Sequence, residues 1–194
     1  MNQPHSSEWR PEWESADRRL RVESTVRHHA GRTFRLPRVR QGPAIGAGAV
    51  AVTLRVADTL EVLLVHQDRP IPGVTLWELP RGMADDTDED LVATARRELL
   101  EETGISAGTG RLLGPIHPDS GLLSASVGVV LFVVDQGLPV QERDGEVDDV
   151  RWFPVDSLGE LIVSGDLRDG VSLAAMAVAR ASGAIDSASV RGLR

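Results

Sequence analysis

Between residues 82 and 105 the chain sets a glycine turn in front of three glutamates, Glu98, Glu101 and Glu102, at helical spacing. Each residue of an α-helix advances about 100°, so the three carboxylates fall within an arc of roughly 100° on one face. Like charges held so close repel unless a cation lies between them. Hard oxygen donors in this number suit Mg²⁺ or Mn²⁺, and Mg²⁺ usually completes its octahedron with water and substrate phosphate oxygens. The helix also carries an apolar stripe, Leu91, Val92, Ala95 and Leu99, that faces a core and leaves the acids at the edge of buried structure. Thr87 with Asp90 three residues on resembles a capping box, the first turn reads as acidic, and Gly104 is placed to end the helix in a left-handed conformation. Ahead of the glycine, Trp77-Glu78-Leu79-Pro80-Arg81 reads as extended, because a proline disfavours helix at the residue before it. The order is therefore extended segment, glycine turn, helix. A solvated acidic helix face is the alternative reading of the same spacing.

Composition narrows the chemistry further. At 194 residues with 41% hydrophobic content the chain can bury one good core, so one domain with extensions is expected. Cysteine, lysine and tyrosine are all absent. That excludes disulfides, a thiolate nucleophile, a Schiff-base or Walker-type lysine and a tyrosine acid. The apolar stretches 44–54 and 121–134 are too short and too interrupted by glycine and serine to span a bilayer. Residues 1–10 have no apolar core of the signal-peptide kind, and a cytoplasmic location is expected. The net charge of −8 argues against non-specific nucleic-acid binding. The charge is uneven, however: eight arginines lie from Arg18 to Arg40, while 85–102 is strongly acidic. The cluster reads either as a solvated arm packed on the acidic body or a second subunit, or as a source of one or two arginines that reach a substrate phosphate or sugar.

A pass along the chain gives an N-terminal arm at 1–44 with short strands near 20–26 and 33–39, a main domain at 45–182 and a C-terminal tail at 183–194. Residues 49–56 and 61–66 read as strands joined by a turn, 111–114 and 150–153 as further strands, and 127–134 as a central buried strand. Helices are expected near 156–163 and 170–181. Mixed strands with helices on both sides suggest a three-layer α/β/α sandwich.

The run Arg97-Glu98-Leu99-Leu100-Glu101-Glu102-Thr103-Gly104-Ile105, with Glu89 eight residues before Arg97, resembles the Nudix hydrolase signature G-x5-E-x7-R-E-U-x-E-E-x-G-U, where U is aliphatic. One departure stands out: six residues, 83–88, separate Gly82 from Glu89, where the pattern has five. Either the loop carries an insertion or Met83 takes the glycine position. The segment Leu113-Gly-Pro-Ile-His-Pro-Asp-Ser-Gly-Leu-Leu-Ser124 is similar to the substrate loop of the ADP-ribose pyrophosphatase branch, as the arm is to that branch's N-terminal strands, through which its members commonly dimerise. In this register Ser120 stands where that branch's marker proline would fall.

The resemblance implies a Nudix-type α/β/α sandwich with a mixed sheet and an N-terminal extension. It also implies Mg²⁺-dependent (or Mn²⁺-dependent) cleavage of a nucleoside diphosphate derivative, ADP-ribose or a related nucleotide sugar, by a homodimer joined through the arm. Glu98, Glu101 and Glu102 are then metal ligands, with the Gly82 backbone beside them. Glu101, Glu102 and Arg97 are catalytic, Arg97 orienting a glutamate or the loop and Glu89 pairing with it or joining the metal cluster. Arg81, His117, Ser120 and Gly121 contact substrate. The general base falls on the acidic loop 141–149, with Glu146 preferred over Glu142 and Asp148. Other members of the same superfamily act on nucleoside triphosphates, dinucleoside polyphosphates or capped RNA, and a catalytically silent nucleotide-binding regulator is the non-enzymatic alternative.

Overall fold

Two segments lack the polar alternation of a half-exposed strand, and such segments require cover on both faces. The fold is arranged around them. The computed structural model describes residues 8–41, 47–135, 145 and 147–185. The chain runs β1 (Arg10–Glu14), β2 (Leu20–His29), β3 (Arg32–Gln41), β4 (Ala47–Val56), β5 (Leu60–Arg69), β6 (Val74–Glu78), β7 (Arg81–Met83), α1 (Leu91–Thr103), β8 (Arg111–Ile116), β9 (Ser126–Val133), β10 (Asp149–Pro154), α2 (Leu158–Ser164) and α3 (Gly170–Ala181). The two apolar segments, β4 and β9, lie side by side and parallel, from Ala47 opposite Ser126 to Leu54 opposite Val133. Around them the order is β10-β5-β4-β9-β8, with β6 added to β5 and β7 to β4, and every pairing other than β4 with β9 is antiparallel.

Because side chains alternate along a strand, β4 divides itself between two cores. Val50, Val52 and Leu54 pack with Leu64, Val129 and Leu131 against Ala175, Met176 and Ala179 of α3. Ala49 and Ala51 pack with Leu63, Val130 and Phe132 against Ala95 and Leu99 of α1. The small residues stand on the α1 side, which lets the acidic helix lie close to the sheet. This is the three-layer arrangement with a mixed sheet that the element pattern suggests. Ala184 and Ile185 are buried in the α3-side core. Among the described residues no helix is long and apolar enough to cross a membrane.

The arm is a sheet of its own, β1-β2-β3. Pro11 and three charged residues give Arg10–Glu14 the composition of a turn, yet the segment is a strand. It pairs because β2 offers it a free edge. The arm meets the body where the Val39 N–H donates to the Leu122 carbonyl at 2.8 Å and the Ser124 N–H donates to the Val39 carbonyl at 2.8 Å.

Candidate active site

The position of α1 is set at both ends. Asp90, in extended conformation, caps the helix by accepting the Ala93 N–H at 2.8 Å, and Gly104 closes it at φ 71° with its N–H on the Leu100 carbonyl. The cap is Asp90 and not Thr87, which donates to Asp85 Oδ1 in the preceding loop. The helix therefore starts at Leu91, and its acidic residues precede the first turn instead of occupying it.

Arg97 organises the acids. Its Nε and Nη2 fork onto Asp88 at 3.2 and 2.9 Å, its Nη1 donates to Glu98 Oε1 at 2.8 Å and Glu101 Oε2 at 2.9 Å, and its Nη2 also donates to the Met83 carbonyl at 2.8 Å. These hydrogen bonds, that to Asp88 foremost, hold the guanidinium firmly protonated and keep the Asp88 carboxyl below its ordinary range. The partner is thus Asp88, whereas Glu89 is exposed. Counted from Gly82, Asp88 stands at the G-x5 spacing of the signature's first acid, so the extra residue falls between that acid and the helix, and the loop keeps register with Gly82. Lysine at position 97 has one charge but no planar fork. Arg97→Lys should lower kcat by roughly 10–100-fold, the usual effect of disturbing a group that orients metal ligands. Steady-state kinetics on folded protein checks this; unchanged turnover would remove Arg97 from the site.

Glu102 is the buried member of the trio, at 3% exposure, and its Oε2 has no hydrogen-bond partner. Burial, and then the neighbouring Glu98 charge, push its carboxyl up to about 8, against the opposing pull of Arg69 and the Arg81 N–H. Glu98 is largely covered, while Glu101 stays exposed at the rim under the Arg97 guanidinium. Gly82 lies against Glu98: a Cβ there would sit 2.2 Å from the Glu98 carboxyl carbon, so any larger residue would push that carboxylate aside. Among the described residues no three acidic or histidine side chains form a ready-made metal cage. The donors instead are a close pair, Glu98 and Glu102, one with an unpartnered buried oxygen. Such a pair fits a cation like Mg²⁺, which takes one or two carboxylates and leaves its other positions to water and phosphate.

A pH dependence follows. In the metal-free fold Glu102 takes up its proton more readily than in the unfolded chain, so its contribution to stability is complete below about pH 4.5 and lost as pH rises towards 8. The Tm of the metal-free protein should fall over this interval more than that of Glu102→Gln, and Mg²⁺ at pH 8 should raise it again. Thermal scans with a chelator and with Mg²⁺ read both effects; parallel curves for the two proteins would contradict the burial.

Beside Gly82 a pocket of about 200 Å³ is lined by Gly48, Arg81, Gly82, Pro118, Leu123 and Val171, among others. The loop after β8 reaches it through Pro118, Leu123 and Ala125. His117, Ser120 and Gly121 are exposed outside its lining: the His117 Nδ1–H donates to the Ala125 carbonyl at 3.0 Å, and the Gly121 N–H donates to Asp119. Arg81 lines the pocket, but its Nη2 is committed to Glu78 at 3.0 Å and Asp169 at 3.3 Å. Fully buried Glu78 also receives Arg69, and Asp169 accepts from the N–H and hydroxyl of Ser172, whose Oγ receives the Leu79 N–H at 2.9 Å. This network, which the sequence reading missed, ties β6 and β7 to α3 beneath the site. Glu146 and Glu142 lie outside the described residues, and Asp148 is exposed, its N–H donating to the His66 carbonyl.

A family model described as "NUDIX domain" matches residues 46–174. The chain is similar to an ADP-ribose pyrophosphatase of Mycobacterium tuberculosis, 30% identical over 66% of this chain and 62% of that protein, so it spans less than two thirds of that relative's length. It is also similar to the CMP-5'-(N-acetyl-N-hydroxy-3-aminopropyl)phosphonate hydrolase of Streptomyces rubellomurinus, 29% identical over 87% of this chain and 75% of that one. Among solved structures, a crystal structure of an ADP compounds hydrolase matches with a TM-score of 0.68 over 93% of this chain and 95% of that one. At 17% identity that likeness concerns the fold alone.

Proposed function

We propose that this chain, which belongs to the NUDIX family, is a Mg²⁺-dependent hydrolase (Mn²⁺ substituting) of the diphosphate linkage in a nucleoside diphosphate derivative, with ADP-ribose or a related nucleotide sugar preferred. The observation that carries the reading is the buried, unpartnered Oε2 of Glu102 beside Glu98 at the Gly82 turn. A diphosphate resists attack because its nonbridging oxygens are anionic, so they must be neutralised and a water placed in line. Glu98 and Glu102, with Glu101 as a further ligand, would hold a cation, which when bound would supply that neutralisation and lower the pKa of the attacking water. Arg97 keeps Glu98 and Glu101 aimed at one point and fastens the Gly82 loop through Met83. Arg81, anchored to Glu78 and Asp169, holds the backbone N–H that faces Glu102 and forms one wall of the nucleoside pocket. His117, Ser120 and Gly121 belong to the loop that closes on substrate, and Glu146 takes the proton from the water.

The relative from Mycobacterium tuberculosis supports ADP-ribose by its name. The Streptomyces relative, which matches more of this chain, favours a second reading in which a CMP conjugate is cleaved. A panel of nucleoside diphosphate derivatives and CMP conjugates, incubated with Mg²⁺ and resolved by chromatography, decides between them. AMP with ribose 5-phosphate is the expected product pair. In the same assay Glu146→Gln should lower turnover at least tenfold, as loss of a general base does; near wild-type turnover would move the base elsewhere. The homodimer belongs to this proposal too. On the arm sheet Phe34 and Leu36 share one face and Trp13 and Val26 the other, each at least 42% exposed, and the Phe34–Leu36 face suits a covered apolar surface. Light scattering at the mass of a single chain would refute it.

A further inference from the structure

We propose that Arg19 of the arm recognises the half of the substrate distal to the nucleoside, and that this half is a phosphorylated sugar; the inference rests on the diphosphate cleavage proposed above. A second pocket, of about 490 Å³, lies where the turn between β1 and β2 overhangs the acidic loop, and Ser15, Asp17, Arg19, Gln41, Asp85 and Arg97 line it. It shares Gln41 and Met83 with the smaller pocket beside Gly82. Glu98 touches Gly82 and Arg97 holds Glu98, so the acids stand at the junction of the two pockets. A diphosphate placed at that junction extends one substituent into each. The smaller pocket is walled mostly by aliphatic side chains and glycine backbone, which suits a nucleoside. The larger is apolar at Leu20, Met83 and Ala84 and sets Arg19 and Arg97 against Asp17 and Asp85, so its fitness for a phosphorylated sugar rests on the arginine that is left over.

Within the larger pocket the arginines differ. Arg97 is committed to three carboxylates and a carbonyl. The guanidinium of Arg19 makes no hydrogen bond or ion pair among the described residues, while Arg21, Arg35 and Arg38 are each paired inside the arm with Glu14, Glu12 and Glu23. The turn that carries Arg19 is nevertheless fixed. Ser15 Oγ donates to Asp17 Oδ1 at 2.5 Å, the Arg19 N–H donates to the same oxygen at 3.1 Å, the Leu20 N–H donates to Ser15 Oγ at 2.9 Å, and Arg18 takes the left-handed conformation at φ 58°. Asp17 is thus occupied chiefly by a hydroxyl and a backbone N–H. A fixed turn that puts Arg19 in the lining of this pocket, its guanidinium near the Asp17 charge but outside every hydrogen bond and ion pair among the described residues, is suited to a phosphate or vicinal hydroxyls.

The test is calorimetric titration of the full chain with ribose 5-phosphate in the presence of Mg²⁺. Wild type should bind, Arg19→Ala should bind at least tenfold more weakly, Arg19→Lys should fall between, and Arg32→Ala, which removes the same charge at the far end of the β2–β3 hairpin, should match wild type. Failure of wild type to bind, equal affinity of Arg19→Ala, or an equal loss in Arg32→Ala would overturn the assignment. Arg19-dependent binding in a chain that cleaves no member of the substrate panel would instead sink the hydrolytic reading and leave the pocket standing.

Discussion

Glu102→Gln is expected to lower turnover by about a thousand-fold or more and to leave the protein folded. The oxygen that glutamine replaces is buried and unpartnered, and with Glu98 it forms the close carboxylate pair proposed to hold the cation. A metal ion positioned by such a pair supplies several kcal/mol of charge stabilisation, and each 1.36 kcal/mol is about a factor of ten in rate. The amide is nearly isosteric and carries no charge, so it also removes the repulsion with Glu98. Loss of activity without loss of structure is therefore predicted, with reduced Mg²⁺ affinity in the same variant. Kinetics, circular dichroism and metal titration together check this. A variant that turned over within tenfold of wild type would show that the trio does not hold the catalytic ion.

The second large effect concerns stability. Glu78→Ala should cost about 3–5 kcal/mol, the usual result of removing one member of a buried ion pair. Glu78 is fully buried, with Arg69 forked onto it through Nε and Nη2 and Arg81 donating at 3.0 Å. Truncation strands the Arg69 guanidinium next to Glu102 and leaves Arg81 with Asp169 alone. For a chain of this size that corresponds to a fall in Tm of roughly 6–20 °C. Urea denaturation at constant m would measure it, and a cost below about 1 kcal/mol would mean that the network behaves as a surface ion pair.

The layer order was legible from sequence because β4 and β9 are apolar over most of their length and α1 carries both an apolar stripe and a glycine stop. The acids of α1 were legible for the same reason: their spacing along a helix fixes their common face. What sequence could not order were choices between equally suited neighbours and contacts across long separations. Thr87 and Asp90 are both good cap residues, and only the loop geometry, with Thr87 turned to Asp85, decides for Asp90. Glu89 has the signature's distance to Arg97, but the Gly82 side of the loop sets the register, and Asp88 arrives at the guanidinium. The G-x5-D spacing was the available signal. Arg81 reads as a free arginine beside a glycine turn until Asp169, 88 residues away, is brought against it. Arg19 belonged to a cluster of eight whose members look alike in sequence. They are separated by cross-strand register, which pairs some of them internally and leaves Arg19 at the pocket.

The most direct test of the account is manganese anomalous diffraction from crystals soaked with Mn²⁺ and ADP-ribose under conditions that halt turnover. The account predicts an anomalous peak between the Glu98 and Glu102 carboxylates, next to the Gly82 turn and in contact with a diphosphate oxygen. Bound nucleotide with no peak there, or with manganese seated away from both glutamates, would contradict it.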